Sequence, residues 1–157
     1  MPQIPESELV RKTFTIKKMD LPPSVQLTKR SLLRWFALSF GLISEQESRD
    51  TVLNVLDALF HFLLKKKRNP TTLELQAYID SKYHKKVSEK LLRYHLNRLI
   101  ALELIKRKSN RYLLNNSPKG EPNNIVESFN HWVKNPVNQS LDDISAVLSK
   151  LSQSYRK

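Results

Sequence analysis

Apolar residues recur every three or four positions in the first half of the chain, which is the spacing of one face of an α-helix. The first such stretch predicts a helix that has Thr28 as its N-cap and ends near Leu42. A second helix is predicted to begin at Ser44, which makes a capping box with Glu47, and to end before Asn69-Pro70. This second helix is apolar on two sides. We therefore expect it to be buried between other elements or to lie in an oligomer interface.

A short helix and a longer helix are predicted next. The short one covers residues 73–81 and is capped by Thr71 or Thr72. The longer one begins after its Ser88 cap and ends near Leu102, with leucines at helical spacing along one face. Together they predict two packed helices joined by a short basic turn.

Two short strands are predicted after these helices. Residues 104–108 and 111–114 are predicted as strands on either side of a turn at Ser109-Asn110. The sequence thus predicts a fold that is mainly α with a small β-hairpin. We place its central domain at residues 27–114, with the short helix, the longer helix and the hairpin forming a core over residues 72–114.

The C-terminal part is predicted to contain a linker and two helices. Residues 115–124 are polar and form the linker, and residues 125–157 hold the helices, separated by a stop near Pro136 and a new start at the Ser140 cap. The last helix carries apolar residues at heptad positions: Leu141, Ile144, Leu148, Leu151 and Tyr155. These helices are candidates for dimerisation, although the heptad stripe could equally pack onto the core of the same chain.

The N-terminal 26 residues are polar and contain four prolines, which predicts a flexible arm. The alternation around Phe14 and Ile16 would also allow a short strand. An arm of this kind could contact a nucleic-acid backbone or be a solvated tail.

Composition restricts the chemistry that the chain can carry. Its 157 residues include two glycines and no cysteine, which argues against glycine-rich phosphate loops, disulfides, thiolate nucleophiles and Cys-based metal sites. The four histidines are scattered, and the adjacent carboxylates Asp142 and Asp143 are explained by electrostatics at a helix start. We therefore expect a protein that is not an enzyme, with no cofactor and no metal.

Membrane insertion and secretion are not predicted. The most apolar stretch, Val52–Leu64, has 13 residues and includes Asp57 and His61, whereas about 20 apolar residues are needed to cross a bilayer. Residues 1–6 lack the apolar run of a secretory signal. We expect a cytoplasmic protein that associates with the nucleoid and does not contact a membrane.

Positive charge is concentrated in the middle third of the chain. The formal net charge is +12, and residues 61–114 account for most of it, with fourteen basic and four acidic residues. The flanking parts are close to neutral. A local excess of this size indicates a surface for a polyanion.

Two runs within residues 72–114 carry a family resemblance. The first, TLELQAYI, covers residues 72–79, and the second, LNRLIALELIK, covers residues 96–106. With the order of helix, helix and hairpin, they resemble the winged helix-turn-helix family of small prokaryotic-type transcriptional regulators. The likeness covers 43 of the 157 residues. It implies that the helix over residues 88–102 enters the major groove and that the hairpin over residues 104–114 is a wing on the DNA backbone.

The chain departs from the family pattern at Glu103, where the family usually has glycine. Glycine there supplies the left-handed conformation that ends the helix. Glu103 must therefore adopt that conformation with strain, or the helix must end differently.

The predicted groove-binding helix has a polar face that we assign to DNA. An advance of 100° per residue places four candidate contact residues opposite its leucines. They are Lys90, Arg93, Tyr94 and Asn97. Arginine can read guanine and asparagine can read adenine in the major groove, and a lysine in the first turn suits a phosphate or a base edge. A solvated helix face is the alternative interpretation, but the near absence of acids favours DNA contact.

The predicted wing and the turn before the long helix supply further cations. Lys106, Lys108 and Arg111 surround the hairpin turn together with Arg107, and we assign them to the DNA backbone. Lys85 and Lys86 of the basic turn are also assigned to DNA. The alternative for the hairpin is an edge protected from aggregation by its charges. The run of cations over residues 65–68 could contact phosphates or only complement the helix dipole.

These patterns lead to one leading hypothesis and two alternatives. We expect a sequence-specific double-stranded DNA-binding protein, a transcriptional regulator that acts as a homodimer with half-sites about 10 base pairs apart or a multiple of this. The first alternative is an accessory subunit of a replication or transcription complex, in which the winged helix binds a protein. The second is a non-specific binder of chromatin or nucleic acid.

Overall fold

The computed structural model describes residues 6–43 and 50–157. In chain order its helices and strands are α1 (Lys29–Ser39), α2 (Asp50–Phe60), α3 (Thr72–Tyr83), α4 (Glu89–Ala101), β1 (Ile105–Lys108), β2 (Arg111–Leu114), α5 (Ile125–Phe129) and α6 (Asn135–Tyr155). Two 3₁₀ turns, Glu6–Glu8 and Pro23–Leu27, precede α1, and π-helical turns follow α2 at His61–Lys65 and α5 at Asn130–Lys134. The predicted class, mainly α with a small antiparallel hairpin, is confirmed.

Helix α2 lies at the centre of the core. Every residue from Val52 to Leu59 is buried, and α1, α3 and α4 each pack against this helix. Both apolar sides of α2 are therefore covered by the chain itself, which is the first of the two outcomes that the sequence left open. The capping box predicted at Ser44 and Glu47 lies outside the described residues.

Helices α1, α3 and α4 begin at side-chain caps that the sequence indicates. The hydroxyls of Thr28 and Ser88 each accept a hydrogen bond from a first-turn backbone amide at 3.1 Å. For α3 the cap is Thr71, which forms a capping box with Glu74. Each cap satisfies amides that have no partner within the helix. Helix α1 ends at Ser39, slightly before its predicted end.

The hairpin is joined to the beginning of α3. Strands β1 and β2 pair along their full length, and the turn residues Ser109 and Asn110 have positive φ angles of 52° and 63°. Two left-handed residues give the tight turn whose twist matches that of a hairpin. The backbone amide of Tyr112 donates to the carbonyl of Pro70 at 2.9 Å. This bond fixes the hairpin beside the helix pair α3 and α4.

Glu103 has a left-handed backbone conformation at a position where the winged helix-turn-helix family usually has glycine. Its φ is +64°, its amide donates to the carbonyl of Ile100 at 2.8 Å, and the amide of Leu104 donates to the carbonyl of Leu99 at 3.2 Å. This pair of bonds is the Schellman motif that ends many helices. Of the two possibilities for this residue, the structure shows the first, at a cost of about 1–2 kcal/mol for a residue with a side chain.

The predicted division of the C-terminal helices is wrong. The backbone stays helical from α5 through the π-turn into α6, Pro136 lies within the first turn of α6, and Ser140 lies inside this helix rather than at a cap. Proline lacks an amide hydrogen and normally clashes with the carbonyl four residues before it. Here the wider π-turn directly precedes Pro136, which lets the helix continue without a break.

Helix α6 does not pack onto the core of the described chain. None of its 21 residues is buried, and the element that it contacts most closely is the π-turn before it. The heptad stripe is therefore left uncovered by residues 6–43 and 50–157. In the part of the chain that the structure describes, no helix is long and apolar enough to cross a membrane.

Part of the N-terminal arm contacts α1. The amide of Lys17 donates to the carbonyl of Ser39 at 2.8 Å, and the indole of Trp35 donates to the carbonyl of Asp20 at 2.7 Å. The strand that Phe14 would allow is not formed. The flexibility of residues 1–26 stays a prediction.

Candidate nucleic-acid interface

Helix α4 has a buried face and an exposed polar face. Leu92, Leu96 and Leu99 are buried in the core, as the helical spacing predicts. On the other side Lys90 and Asn97 are exposed, and Tyr94 is 55% exposed. The predicted contact residues of this helix thus form one stripe on the protein surface.

Helix α4 is fixed in orientation by a contact that the sequence did not predict. The guanidinium of Arg98 donates to the carbonyl of Leu42 at 2.5 Å and also to that of Gly41. These carbonyls lie just after α1, so the arginine joins the inner side of α4 to a distant loop. The polar stripe is consequently presented by a helix held both by leucine packing and by charged hydrogen bonds.

Arg93 is paired within its own helix. Its Nη2 lies 2.6 Å from Oε1 of Glu89, one helical turn earlier, and both side chains are substantially exposed. An exposed pair of this kind contributes only about 0.3–0.5 kcal/mol. The guanidinium can therefore exchange Glu89 for a phosphate or a base at little cost.

The hairpin separates its cations between two faces. Lys106 and Lys108 are exposed and lie on the outer face of β1. Arg107 lies on the other face, with its guanidinium 5.7 Å from the centroid of the Tyr112 ring and 3.4 Å from Oδ1 of Asn110. Arg107 is exposed as well, so the faces differ in which cations they carry: the outer face of β1 presents the two lysines.

Arg111 is engaged with the beginning of α3. Its Nη1 donates to the carbonyl of Asn69 at 2.8 Å and to Oε1 of Glu74 at 3.2 Å. Arg68 binds the same carboxylate. Burial alone would raise the pKa of Glu74, but the hydrogen bond from the Thr71 backbone and the charge of Arg68 lower it. Arg111 thus anchors the hairpin to α3, and it is less free than the two lysines.

The turn between α3 and α4 exposes the predicted pair of lysines. Lys85 and Lys86 follow His84, which ends α3 in a left-handed conformation with a φ of 57°. The side chain of Gln76 donates to the carbonyl of Val87 at 2.8 Å and holds the other end of the turn. The lysines therefore project from a defined turn that leads directly into α4.

A buried carboxylate cluster was missed by sequence reasoning. Asp57 of α2 is 4% exposed, and its Oδ2 accepts hydrogen bonds from Tyr83 (2.5 Å), Lys82 (2.7 Å) and Tyr78 (3.3 Å) of α3. The only signal in the sequence was a single acid in an apolar run. The partners are more than twenty positions away, so the pattern did not reveal them.

The negative charge of Asp57 is compensated by hydrogen bonds from the other side chains of the cluster. Burial alone would raise the pKa of Asp57, but the hydrogen bonds from Lys82 and Tyr83 lower it. The bond to Asp57 raises the pKa of Lys82, and burial together with Asp57 raises the pKa of Tyr83. The cluster therefore clamps α3 onto α2, which positions the helix pair α3 and α4 against the core.

Comparisons of the chain with protein-family models, with curated proteins and with solved structures find no match. No relative therefore supplies a function for the chain. Its function has to be inferred from the contacts, exposure and charge of its own residues.

Proposed function

We propose that the protein is a sequence-specific double-stranded DNA-binding protein, a transcriptional regulator in which residues 72–114 act as a winged helix-turn-helix. The observation that carries this proposal is the division of α4. One face of this helix is locked into the core, and the opposite face presents lysine, tyrosine and asparagine to solvent, with the half-buried Arg93 beside them.

The size and chemistry of α4 suit the major groove. A helix with its side chains is about 10–12 Å across, and the major groove is about 12 Å wide. Asn97 can pair with adenine and Arg93 with guanine, while Lys90 in the first turn can reach a phosphate or a base edge. The ion pair of Arg93 lies within α4 itself, with Glu89, so exchanging it for a DNA contact leaves the other elements in place.

The hairpin supplies backbone contacts in this proposal. Lys106 and Lys108 are exposed on one face of β1, where they can bind phosphates beside the groove that α4 occupies. Arg107 and Arg111 already have intramolecular partners. We therefore assign these arginines mainly to the shape of the hairpin, and Lys85 and Lys86 to phosphates near the beginning of α4.

Acids do little to oppose a polyanion in this region. Residues 61–114 contain four acids, and three of them are engaged in ion pairs: Glu74 with Arg68 and Arg111, Glu89 with Arg93, and Glu103 with Lys12. The exposed lysines consequently have few acidic competitors. This local balance favours a DNA ligand over a surface that is merely solvated.

The test is duplex binding by fluorescence anisotropy as a function of salt, with random-sequence DNA and genomic upstream fragments. We expect one fragment to bind about 10³-fold tighter than random DNA, and Lys90→Ala/Arg93→Ala to remove this preference. The matched control is Lys119→Ala/Lys134→Ala, which removes the same charge from exposed positions outside residues 61–114 and should keep the preference.

The other outcomes of this experiment identify the alternative functions. Equal affinity for all fragments, with a steep salt dependence, would indicate a non-specific nucleic-acid binder. Weak binding that neither double substitution changes would indicate that the helix pair and hairpin bind a protein, as in an accessory subunit. The apolar surface of α2 from Val52 to Leu59 is buried within the chain and is therefore not available to such a partner.

A further inference from the structure

Helix α6 presents an uncovered apolar stripe along its whole length. The helix has 21 residues and is therefore about 30 Å long. The residues of this stripe lie at alternating spacings of four and three, which are the a and d positions of a heptad. They are Val137, Leu141, Ile144, Leu148, Leu151 and Tyr155.

This stripe is not covered by any of the described residues of the chain. The last five of its side chains are between 46% and 88% exposed. A single helix of this length gains little stability in water without packing of its apolar face. At these exposed fractions each side chain offers on the order of 100 Å², so covering the stripes of two copies removes roughly 1,000 Å² from water, about what a specific interface needs.

We propose that α6 pairs with α6 of a second copy of the chain in an antiparallel two-helix coiled coil. In antiparallel pairs an a residue of one helix faces a d residue of the other. Leu141 then faces Leu151 of the second copy, and Ile144 faces Leu148. Val137 faces Tyr155 in the same register.

One register accommodates the entire stripe. Each of the three pairs is centred on the same residue, Ala146, which points away from the contact. A two-fold axis beside Ala146 therefore brings all six residues of each copy into the interface at once. This self-complementarity is what a symmetric dimer interface requires.

The distribution of charge favours the antiparallel order. Asp142 and Asp143 lie near the beginning of α6, and Lys150 and Arg156 lie towards its end. In the antiparallel register Asp142 is level with Lys150 of the second copy, whereas in a parallel pair acids would be level with acids; these positions lie on the outer side of the pair, so the effect is long-range attraction and not a contact. The two helix dipoles are also antiparallel, which is their favourable side-by-side arrangement.

The positions that border the stripe do not oppose this pairing. They carry no charge and are mostly small: Asn138, Ser140, Ser145, Val147, Ser152 and Ser154. Charged residues at these positions normally select partners and orientation. Here small residues allow close approach of the two helices, and orientation is left to the axial charges and the register.

This inference goes beyond the proposed DNA binding and does not rest on it, since it uses only α6. The first test is the mass of the full chain in solution by light scattering. We expect twice the 18.4 kDa of one chain. Leu151→Asp should give a monomer with unchanged thermal unfolding of the remaining fold, while Ala146→Asp, which adds the same charge on the outer face, should remain a dimer.

The second test is disulfide cross-linking, which the chain permits because it has no cysteine of its own. We expect Leu141→Cys mixed with Leu151→Cys to form a covalent dimer under mild oxidation, and each variant alone to form little. Efficient cross-linking of each variant alone would show a parallel pair and overturn the proposed orientation. A mass of one chain at micromolar concentration would overturn the dimer and assign the stripe to another partner.

Discussion

The ammonium of Lys12 lies 3.0 Å from Oε2 of Glu103, so that a residue of the N-terminal arm is paired with the residue that terminates α4. Glu103 is also the residue held in a left-handed conformation at the entry to the hairpin. One side chain thus connects the arm, the end of the proposed groove-binding helix and the beginning of β1. The strain at Glu103 and its ion pair act in opposite directions on stability, and they can be separated.

The strain at Glu103 predicts a difference between two substitutions. Glu103→Gly and Glu103→Gln both remove the carboxylate that pairs with Lys12, but only glycine relieves the left-handed backbone. We expect the glycine variant to be about 1 kcal/mol more stable than the glutamine variant in urea unfolding. Equal stabilities would show that the backbone at this position is not strained.

The buried carboxylate of Asp57 predicts a large loss of stability on neutralisation. Asp57→Asn removes the charge that accepts three hydrogen bonds on one oxygen. We expect a loss of about 2–3 kcal/mol in urea unfolding. Asp80→Asn is the matched control. Asp80 is an exposed acid on α3, the helix that carries the partners of Asp57, and its neutralisation should change stability by less than about 0.5 kcal/mol.

The lowered pKa of Asp57 also predicts the pH range of its contribution. Its pKa in the folded protein is below the ordinary value of 3.8, so the charged carboxylate stabilises the fold at pH values above 3.8. This contribution is lost as the pH falls through the lower, folded pKa. The difference in unfolding free energy between wild type and Asp57→Asn should therefore shrink on acidification below about pH 4. A difference that is constant from pH 7 to pH 2 would contradict the assignment.

The pair of Glu89 and Arg93 predicts a gain of DNA affinity. Glu89→Gln releases Arg93 and removes an acid from the proposed interface. We expect binding to become roughly 2- to 5-fold tighter at low salt, with the gain disappearing at high salt. Glu121→Gln makes the same charge change in the linker and should leave affinity unaltered. A loss of affinity in Glu89→Gln would mean that Glu89 itself contacts the DNA.

The hairpin and α4 are predicted to contribute in different ways. Lys106→Ala/Lys108→Ala should weaken binding to all sequences and reduce the slope of log affinity against log salt by about 2, because two phosphate contacts are lost. Asn97→Ala should reduce the preference for the best fragment by about 10-fold or more with little change in slope. Salt titrations of both variants on two fragments distinguish these effects. The reverse pattern would exchange the roles of the two elements.

Local features of the fold were predictable because their causes lie within a few residues. The caps at Thr28 and Ser88 follow from residue type, and the leucine face of α4 follows from spacing. Both are confirmed. The break predicted before α6 is wrong because Pro136 normally stops a helix, whereas here a π-turn just before it lets the helix continue.

Long-range features could not be read from the sequence. The bonds from Arg98 to the loop after α1 and from the α3 tyrosines to Asp57 join residues far apart in the chain. The engagement of Arg111 by Glu74 likewise depends on how the hairpin sits beside α3. Periodicity indicates which face of a helix is polar, but it does not show which cations are already paired.

The central claim is that the outer faces of α4 and β1 bind duplex DNA. The most direct measurement is a backbone amide NMR titration of the full chain with a short duplex. We predict the largest chemical-shift changes at Lys90, Arg93 and Asn97 of α4 and at Lys106 and Lys108 of β1, with α6 unaffected. Changes confined to other surfaces, or none at all with excess duplex at low salt, would contradict the account.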